Sequence, residues 1–233
     1  MPIGITPVEK RAVVEAAESA GAREVYLIEE TMAAALGANM DSVLNSRGGM
    51  IIDIGGGTTG ISVISLGGLV ISRSIKTAGD SMNQAIISYV KNSYGLLIGE
   101  NMAENVKKTI CDVTDIPSES LKMSVRGRSL ESGLPESIQL TAIDTKRALD
   151  ESVIDIINTV VETLDSTPPE LSGDIMVDGI VLAGGGALLG GLSERLSKAT
   201  RLKVTVAEDP LMCVVRGCGK ALEEINTLRK ISL

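Results

Sequence analysis

The chain has 233 residues, of which 44% are hydrophobic, so it is long and apolar enough to bury a core, which argues against disorder. Its formal charge of −8 has the wrong sign for general nucleic-acid binding or for a polybasic membrane surface. It contains no histidine and 1% aromatic residues, which argues against imidazole triads, most catalytic zinc sites and stacking platforms for bases.

The cysteine spacing and the lengths of the apolar runs indicate the cellular compartment in which the protein is expected. Cys111, Cys213 and Cys218 are an odd number without C-x-x-C spacing, which supports neither a disulfide framework nor a zinc knuckle. No apolar run approaches the roughly 18 residues of a membrane span, and the first residues lack the apolar region of a secretory signal. We therefore expect a cytoplasmic protein.

The first elements predict an α/β layer. Thr6 can cap a helix, Pro7 suits its first position, Glu9 completes a capping box, and Gly21 ends it. The string EVYLIEE (residues 24–30) predicts a short buried strand, and TMAAALGA predicts a second helix. We expect a domain boundary in the polar loop at residues 39–49.

The middle of the chain predicts a sheet followed by a smaller unit. The strings MIIDI, ISVISL and LVISRSIK, joined by glycine turns, predict an antiparallel meander. Two helices are expected next, one around residues 82–89 and one after Gly99, followed by short strands at KMSVRG and SIQLTA.

The last part alternates helices and strands. A long helix is expected over residues 144–164, ended by Pro168 and Pro169. The strand GIVLA should lead through a glycine turn directly into a helix, followed by the strand KVTVA and a closing helix at PLMCVVRGCGKALEEIN.

Residues 55–60 form a G-x-G-x-x-G pattern after a strand. The following string ISVIS predicts a strand, so the glycines lie in a hairpin and not in a Rossmann turn. Their amides could converge on a phosphate, and Asp53 would then face it across a cation such as Mg²⁺ held through water, with Thr58 and Thr59 adding hydroxyls. The alternative is a structural hairpin in which Asp53 caps its own turn.

Three further groups allow two interpretations each. Gly184, Gly185 and Gly186 suit a nucleotide at a helix N-terminus or close helix packing. Glu29 and Glu30 lie between a predicted strand and a predicted helix, where at most one of them would face a ligand. Alternatively, either is simply an acid at a helix N-terminus that the helix dipole stabilises. The third group, which suits either a ligand contact or a solvated helix face, comprises Glu104, Lys107 and Lys108.

Taken in order, these segments resemble the actin, Hsp70 and sugar-kinase superfamily, and within it the MreB family of bacterial actin-like cell-shape proteins. The strings that carry the resemblance include GITPVEKRAV, IIDIGGGTTGISVISLGG, LLIGENMAENVKK, VLAGGGALLGGL and AEDPLMCVVRGCGKALE. They span nearly the whole chain in the order of the family.

The resemblance implies an α/β fold, namely an actin-like (ribonuclease H-like) ATPase domain in which helices flank a mixed sheet, with a small inserted α+β subdomain. The expected units are residues 1–47, a remnant of the first actin-like domain; 48–77 with 148–233, the core of the second; and 78–147, the inserted subdomain.

The resemblance also implies a site that binds ATP, with Mg²⁺ held through water by Asp53. Glu30 and Thr58 resemble the residues that position the attacking water. The residues that the resemblance places around the nucleotide are Asp53, Gly55, Gly56, Gly57, Thr58, Thr59, Gly79, Asp80, Glu104, Lys107, Gly184, Gly185 and Gly186.

The sequence departs from the family pattern in three places. The leading third, with the first phosphate loop D-x-G-T, has no counterpart, Thr31 stands where the family usually has Pro, and Gly60 stands where it has an acid. Phosphoryl transfer needs charge neutralisation on both sides of the nucleotide, so whether this chain is an ATPase stays open and any hydrolysis should be slow.

The function implied is that of a cytoskeletal protein in cell-shape determination that binds ATP and assembles into filaments. The expected partners are further copies of the chain or a full-length MreB paralogue, together with the cell-wall synthesis machinery. No nucleic acid is expected, and membrane contact should be lost with the N-terminal part. The alternative is a non-catalytic interaction module that caps or co-assembles with a full-length paralogue.

Overall fold

The computed structural model describes residues 1–40 and 45–223. Part of the predicted boundary loop at 39–49 and the end of the predicted closing helix lie outside the described residues. The helices are α1 (Pro7–Ser19), α2 (Glu30–Gly37), α3 (Gly79–Tyr94), α4 (Glu100–Ile110), α5 (Ala142–Asp165), α6 (Pro169–Asp178), α7 (Leu192–Thr200) and α8 (Cys213–Glu223). The strands are β1 (Gly49–Ile54), β2 (Thr59–Ser65), β3 (Gly68–Ile75), β4 (Leu96–Leu97), β5 (Lys122–Ser129), β6 (Pro135–Thr141), β7 (Ile180–Ala183) and β8 (Val204–Val206).

The central sheet is mixed and has five strands in the order β3-β2-β1-β7-β8. The first three strands form the predicted antiparallel meander, whereas β7 and β8 run parallel to β1. All six residues of β1 are buried, as expected for a central strand covered on both faces.

Helices cover both faces of this sheet because alternate residues of β1 point to opposite sides. Met50, Ile52 and Ile54 pack into a large core with residues of α3 and α5. Ile51 packs into a second core with residues of α2 and α8. The backbones of α2 and α8 approach so closely that a Cβ atom at Gly217 would lie 1.7 Å from the carbonyl oxygen of Ala33. This packing holds the start of α2 near the end of β1.

A second sheet stands apart from the first. It is antiparallel with the order β4-β5-β6, and β5 and β6 are the two short strands that the sequence predicts. Val125 and Leu140 are buried in the same core as Val106 and Ile110 of α4. Within residues 1–40 and 45–223, no helix is long and apolar enough to cross a bilayer.

The predicted strand at residues 24–30 is wrong. Residues 24–29 have no regular secondary structure, and Glu30 already begins α2. The backbone here is held by the N-terminus, because the Met1 amino group donates to the Ile28 carbonyl oxygen at 2.7 Å and the Glu30 amide donates to the Met1 carbonyl oxygen at 2.8 Å. Among the described residues no strand lies beside this segment, so it has no ladder to join.

The glycine turn after β7 also differs from the prediction. It leads first into a single turn of 3₁₀ helix at Gly185–Leu188, and α7 begins only at Leu192. A second glycine pair interrupts the expected helix, because Gly191 has a left-handed backbone with φ 80°. Leu188 is therefore 60% exposed, whereas Leu192 and Leu196 are fully buried. The helix α6 and the two-residue strand β4 were not predicted.

Candidate functional site

The cavity lies where the central sheet brings two parallel strands to the same edge. Asp53 of β1 is in register with Ala183 of β7, and a glycine-rich segment follows each strand. Ligands of open α/β sheets bind at the carboxyl ends of such strands. A cavity of about 790 Å³ opens at this edge, between the sheet and helices α3 and α4.

The floor of the cavity carries two acids. Asp53 is 5% exposed, and Glu30, the first residue of α2, lines the same cavity. Burial, and secondarily the charge of Glu30, raises the pKa of Asp53 to about 7. Glu29, by contrast, is exposed and outside the cavity. Of the two adjacent acids, the structure therefore brings Glu30 to the site.

The glycine turn after β1 is closed by backbone hydrogen bonds. The Gly55 amide donates to the Thr58 carbonyl oxygen at 3.0 Å. The start of α3 binds the other side of the turn, because the amides of Gly79 and Asp80 donate to the carbonyl oxygens of Gly55 and Gly56 at 3.1 and 2.8 Å. The turn and the first residues of α3 thus form one rigid wall.

The second glycine segment requires glycine for close approach. Gly184 has φ 78°, and a Cβ atom there would lie 2.3 Å from the Ile54 carbonyl oxygen and 2.6 Å from Oδ1 of Asp53. At Gly186 a Cβ atom would lie 2.2 Å from Cγ2 of Ile54. Gly184, Gly185 and Gly186 all line the cavity. These glycines therefore both pack closely against β1 and face the cavity.

The α4 wall is charged and internally paired. Glu104 accepts hydrogen bonds from Lys107 at 2.7 Å, from Lys108 at 3.0 Å and from the Asn83 amide at 2.9 Å. The hydrogen bond from Lys107 is the largest influence on the pKa of Glu104 and, with those from Lys108 and Asn83, lowers it to about 2. The Lys107 and Glu104 side chains are 12% and 35% exposed and do not form a solvated face, whereas the Lys108 side chain is 71% exposed.

Sequence reasoning missed several residues that line the cavity, among them Leu188, Leu211 and Asn83. Leu188 and Leu211 are 60% and 64% exposed and form an apolar rim. Asn83 is 8% exposed, and its Oδ1 has no hydrogen-bond partner among the described residues. The sequence could have indicated Asn83, because it lies four residues after the predicted site residue Gly79 and residues four apart share a helix face.

The structure does not bring every predicted residue into the cavity. The residues Gly57, Thr58 and Thr59 are not among those that line it. Thr59 is fully buried, and its hydroxyl donates to the Thr77 carbonyl oxygen at 2.7 Å. The other predicted residues do line it, and these are Glu30, Asp53, Gly55, Gly56, Gly79, Asp80, Glu104, Lys107, Gly184, Gly185 and Gly186.

Two departures from the family pattern touch each other beside this site. A Cβ atom at Gly60 would lie 2.8 Å from the Cγ2 methyl of Thr31. The Thr31 hydroxyl in turn lies 2.7 Å from the Ser62 hydroxyl in a buried hydrogen bond. The threonine therefore occupies the space that a side chain at residue 60 would need.

The acids of the floor are suited to a hard cation bound with its own water and anionic ligand. Within the described residues the Asp53 carboxylate has no hydrogen-bond donor or basic partner, although it is buried beside a second carboxylate. No cluster of three or more metal-ligating acids or cysteines occurs in the described part of the chain. Mg²⁺ keeps several waters and binds through one or two carboxylates together with phosphates, so this donor set fits it.

The chain is similar to known proteins in both sequence and structure. Residues 1–230 match the family model described as MreB/Mbl protein. Over 227 residues the chain is 48% identical to the cell shape-determining protein MreB of Escherichia coli (strain K12), covering 97% of this chain and 65% of that protein. It is 45% identical over 233 residues to the cell shape-determining protein Mbl of Bacillus subtilis (strain 168), covering 100% and 69%. The chain thus spans about two thirds of the length of these relatives.

A solved structure agrees with this result. The chain superposes on MreB 5 of Spiroplasma citri bound to AMPPNP with a TM-score of 0.93 and 37% identity, over 100% of this chain and 69% of that one. The match confirms the predicted α/β actin-like fold, with its mixed sheet and its separate antiparallel sheet. The sequence match and the superposition together show that this chain belongs to the MreB/Mbl family.

Proposed function

We propose that the cavity binds ATP with Mg²⁺ and that the chain acts in cell-shape determination as an actin-like filament protein. The observation that carries the proposal is the buried, unpartnered Asp53 beside Glu30 at the floor of the cavity. Burying a carboxylate without a partner is unfavourable, and a bound cation offsets this. The bound AMPPNP of the S. citri relative supports the nucleotide.

The walls suggest how each part of the nucleotide is bound. The Gly55–Gly56 turn presents backbone to the phosphates without side chains in the way, as glycine nests do. The exposed apolar side chains of Leu188 and Leu211 would offer a surface for the base. Leu211 lies close to Gly185, since a Cβ atom at Gly185 would be 3.1 Å from its Cδ2. When bound, Mg²⁺ supplies neutralisation of phosphate charge.

The acids would have different tasks. Asp53 would hold the hydrated cation, and Glu30, which lines the same cavity, would orient a water there. Thr58 is not among the residues that line the cavity, so it is assigned no task here. Binding does not by itself imply hydrolysis, because positioning the nucleotide does not cleave it.

Calorimetric titration tests the binding. The full chain is titrated with AMPPNP and Mg²⁺, which avoids turnover. Asp53→Asn should weaken binding by roughly 10-fold to 100-fold, as losses around a metal site do. Asp165→Asn is the matched control, because Asp165 is exposed at the end of α5 and does not line the cavity. Equal affinity of the Asp53 variant and the wild-type chain would refute the site.

Phosphate release tests the hydrolysis. If Glu30 orients the water, Glu30→Gln should lower the turnover of ATP while leaving the affinity for AMPPNP within about twofold. Turnover unchanged by Glu30→Gln would remove Glu30 from this task. Filament formation is tested by light scattering with ATP and Mg²⁺, with Asp53→Asn as the variant that should not assemble.

A further inference from the structure

Lys107 is a buried cation bound to backbone. It lies on α4 facing α3, and its Nζ donates to the Gly79 carbonyl oxygen at 2.8 Å while pairing with Oε2 of Glu104 at 2.7 Å. Its side chain is 12% exposed, whereas that of the adjacent Lys108 is 71% exposed. Lys107 therefore makes two partly buried contacts within the protein itself.

The carbonyl that Lys107 binds belongs to a peptide group that also holds the glycine turn. The carbonyl oxygen of Gly79 and the amide of Asp80 are part of one planar unit. The Asp80 amide donates to the Gly56 carbonyl oxygen at 2.8 Å. Lys107 and the turn thus bind opposite ends of a single peptide plane. A cation on the carbonyl polarises the unit and strengthens the hydrogen bond made by its amide.

The other partner of Lys107 fixes its position. Glu104 also accepts hydrogen bonds from Asn83 at 2.9 Å and from Lys108 at 3.0 Å. Three donors therefore hold the carboxylate, and its negative charge in turn holds Lys107 over the Gly79 oxygen. Rotating the Gly79–Asp80 peptide would leave a partly buried ammonium without this acceptor, which is unfavourable.

We propose that Lys107 is a positioning residue for the phosphate-binding turn: it locks the Gly79–Asp80 peptide plane, which holds Gly56 and thereby presets the turn before the nucleotide binds. This inference rests on the proposed function, because it assigns the turn to phosphate. It differs from direct contact of Lys107 with the nucleotide, for example with its nucleoside part, which is how the resemblance places Lys107 and in which the ammonium would touch the ligand itself.

Hydrogen exchange in the absence of ligand tests the lock directly. Lys107→Met should speed exchange of the Asp80 amide about tenfold, since its hydrogen bond opens locally, and leave the amide of Ile52 in the central strand unchanged. Lys107→Arg, which keeps a cationic donor, should retain most of the protection. Lys108→Met is the matched control, because Lys108 shares Glu104 as a partner but does not bind Gly79. Exchange as slow as in the wild-type chain, or acceleration at Ile52 equal to that at Asp80, would overturn the proposal.

Binding of ligand fragments separates the two roles. With Mg²⁺ present, Lys107→Met should weaken the binding of inorganic pyrophosphate about tenfold. It should weaken the binding of adenosine by less than twofold, since adenosine has no phosphate for the turn to bind. An equal loss for both probes would show a nucleoside contact and overturn the lock. If the wild-type chain bound neither AMPPNP nor pyrophosphate, the proposed function would fail, and the exchange measurement would still decide whether Lys107 holds the turn.

Discussion

Replacing Asp53 by Asn should make the ligand-free chain more stable at neutral and alkaline pH. The carboxylate is 5% exposed, lies beside Glu30 and has no donor among the described residues. Its pKa is raised from 3.8 to about 7, first by burial and then by the charge of Glu30. Between about pH 3.8 and pH 7, Asp53 therefore keeps its proton in the folded chain but has lost it in the unfolded chain.

The sign and the size follow from this difference. As pH rises from about 3.8 to about 7, the unfolded state loses its proton first, so the free energy of unfolding falls and then stays low. Each pKa unit corresponds to about 1.4 kcal/mol, which gives an upper limit of about 4 kcal/mol above pH 7. The amide of Asn also needs partners, and burying it unpaired costs about 1–3 kcal/mol. We expect a net gain of about 1–3 kcal/mol at pH 8.

Urea unfolding between pH 5 and pH 9 without nucleotide measures this gain. The window avoids Glu104, whose lowered pKa of about 2 affects stability only at more acidic pH. Wild-type stability should fall towards pH 7, and the variant should lack this part of the slope. Glu30→Gln should give a smaller gain in stability, because the charge of Glu30 is the lesser cause of the raised Asp53 pKa. A variant with the wild-type slope and stability would refute the reasoning.

The remaining predictions concern packing around the site. Gly184→Ala should lower the free energy of unfolding, measured with urea, by about 3 kcal/mol or more, because its φ is positive and its Cβ would collide with a carbonyl oxygen at 2.3 Å. Gly219→Ala, with open space around it in α8, should be neutral or stabilising in the same urea measurement. Gly60→Ala should cost about 1–3 kcal/mol through contact with the Thr31 methyl. In a Thr31→Ser background, which keeps the hydroxyl and removes the methyl, the cost should largely disappear; a double-mutant cycle with no coupling would contradict the contact.

Local signals in the chain predicted most elements correctly. The capping box of α1 and the meander of β1, β2 and β3 each depend on residues close in sequence. The strand at residues 24–30 failed because apolar character alone does not make a strand. A strand needs a neighbour to complete its hydrogen bonds, and the described residues place none beside it. The 3₁₀ turn after β7 was missed because the helical spacing of its leucines extends across the second glycine pair.

The site was predicted by residue type more than by geometry. Sequence could suggest Asp53 and the glycine segments, since charge and the lack of a Cβ atom are properties of single residues. Residue properties alone could not choose between Glu29 and Glu30, and only the resemblance favoured Glu30, because the choice depends on where α2 begins and on its packing against α8. The sequence also could not show that Lys107 binds the Gly79 carbonyl oxygen 28 residues away.

The amino-acid order alone determined the alternation of helices and strands, the family, and the types of residue available for chemistry. These follow from short-range hydrogen bonding, periodicity and composition. Only the tertiary structure decided which of those residues meet. The parallel pairing of β1 with β7 joins segments about 130 residues apart and brings Asp53 to within contact of Gly184. This long-range pairing is favourable because β1 and β7, joined in one sheet that is covered on both faces, bury more apolar surface than either strand could bury alone.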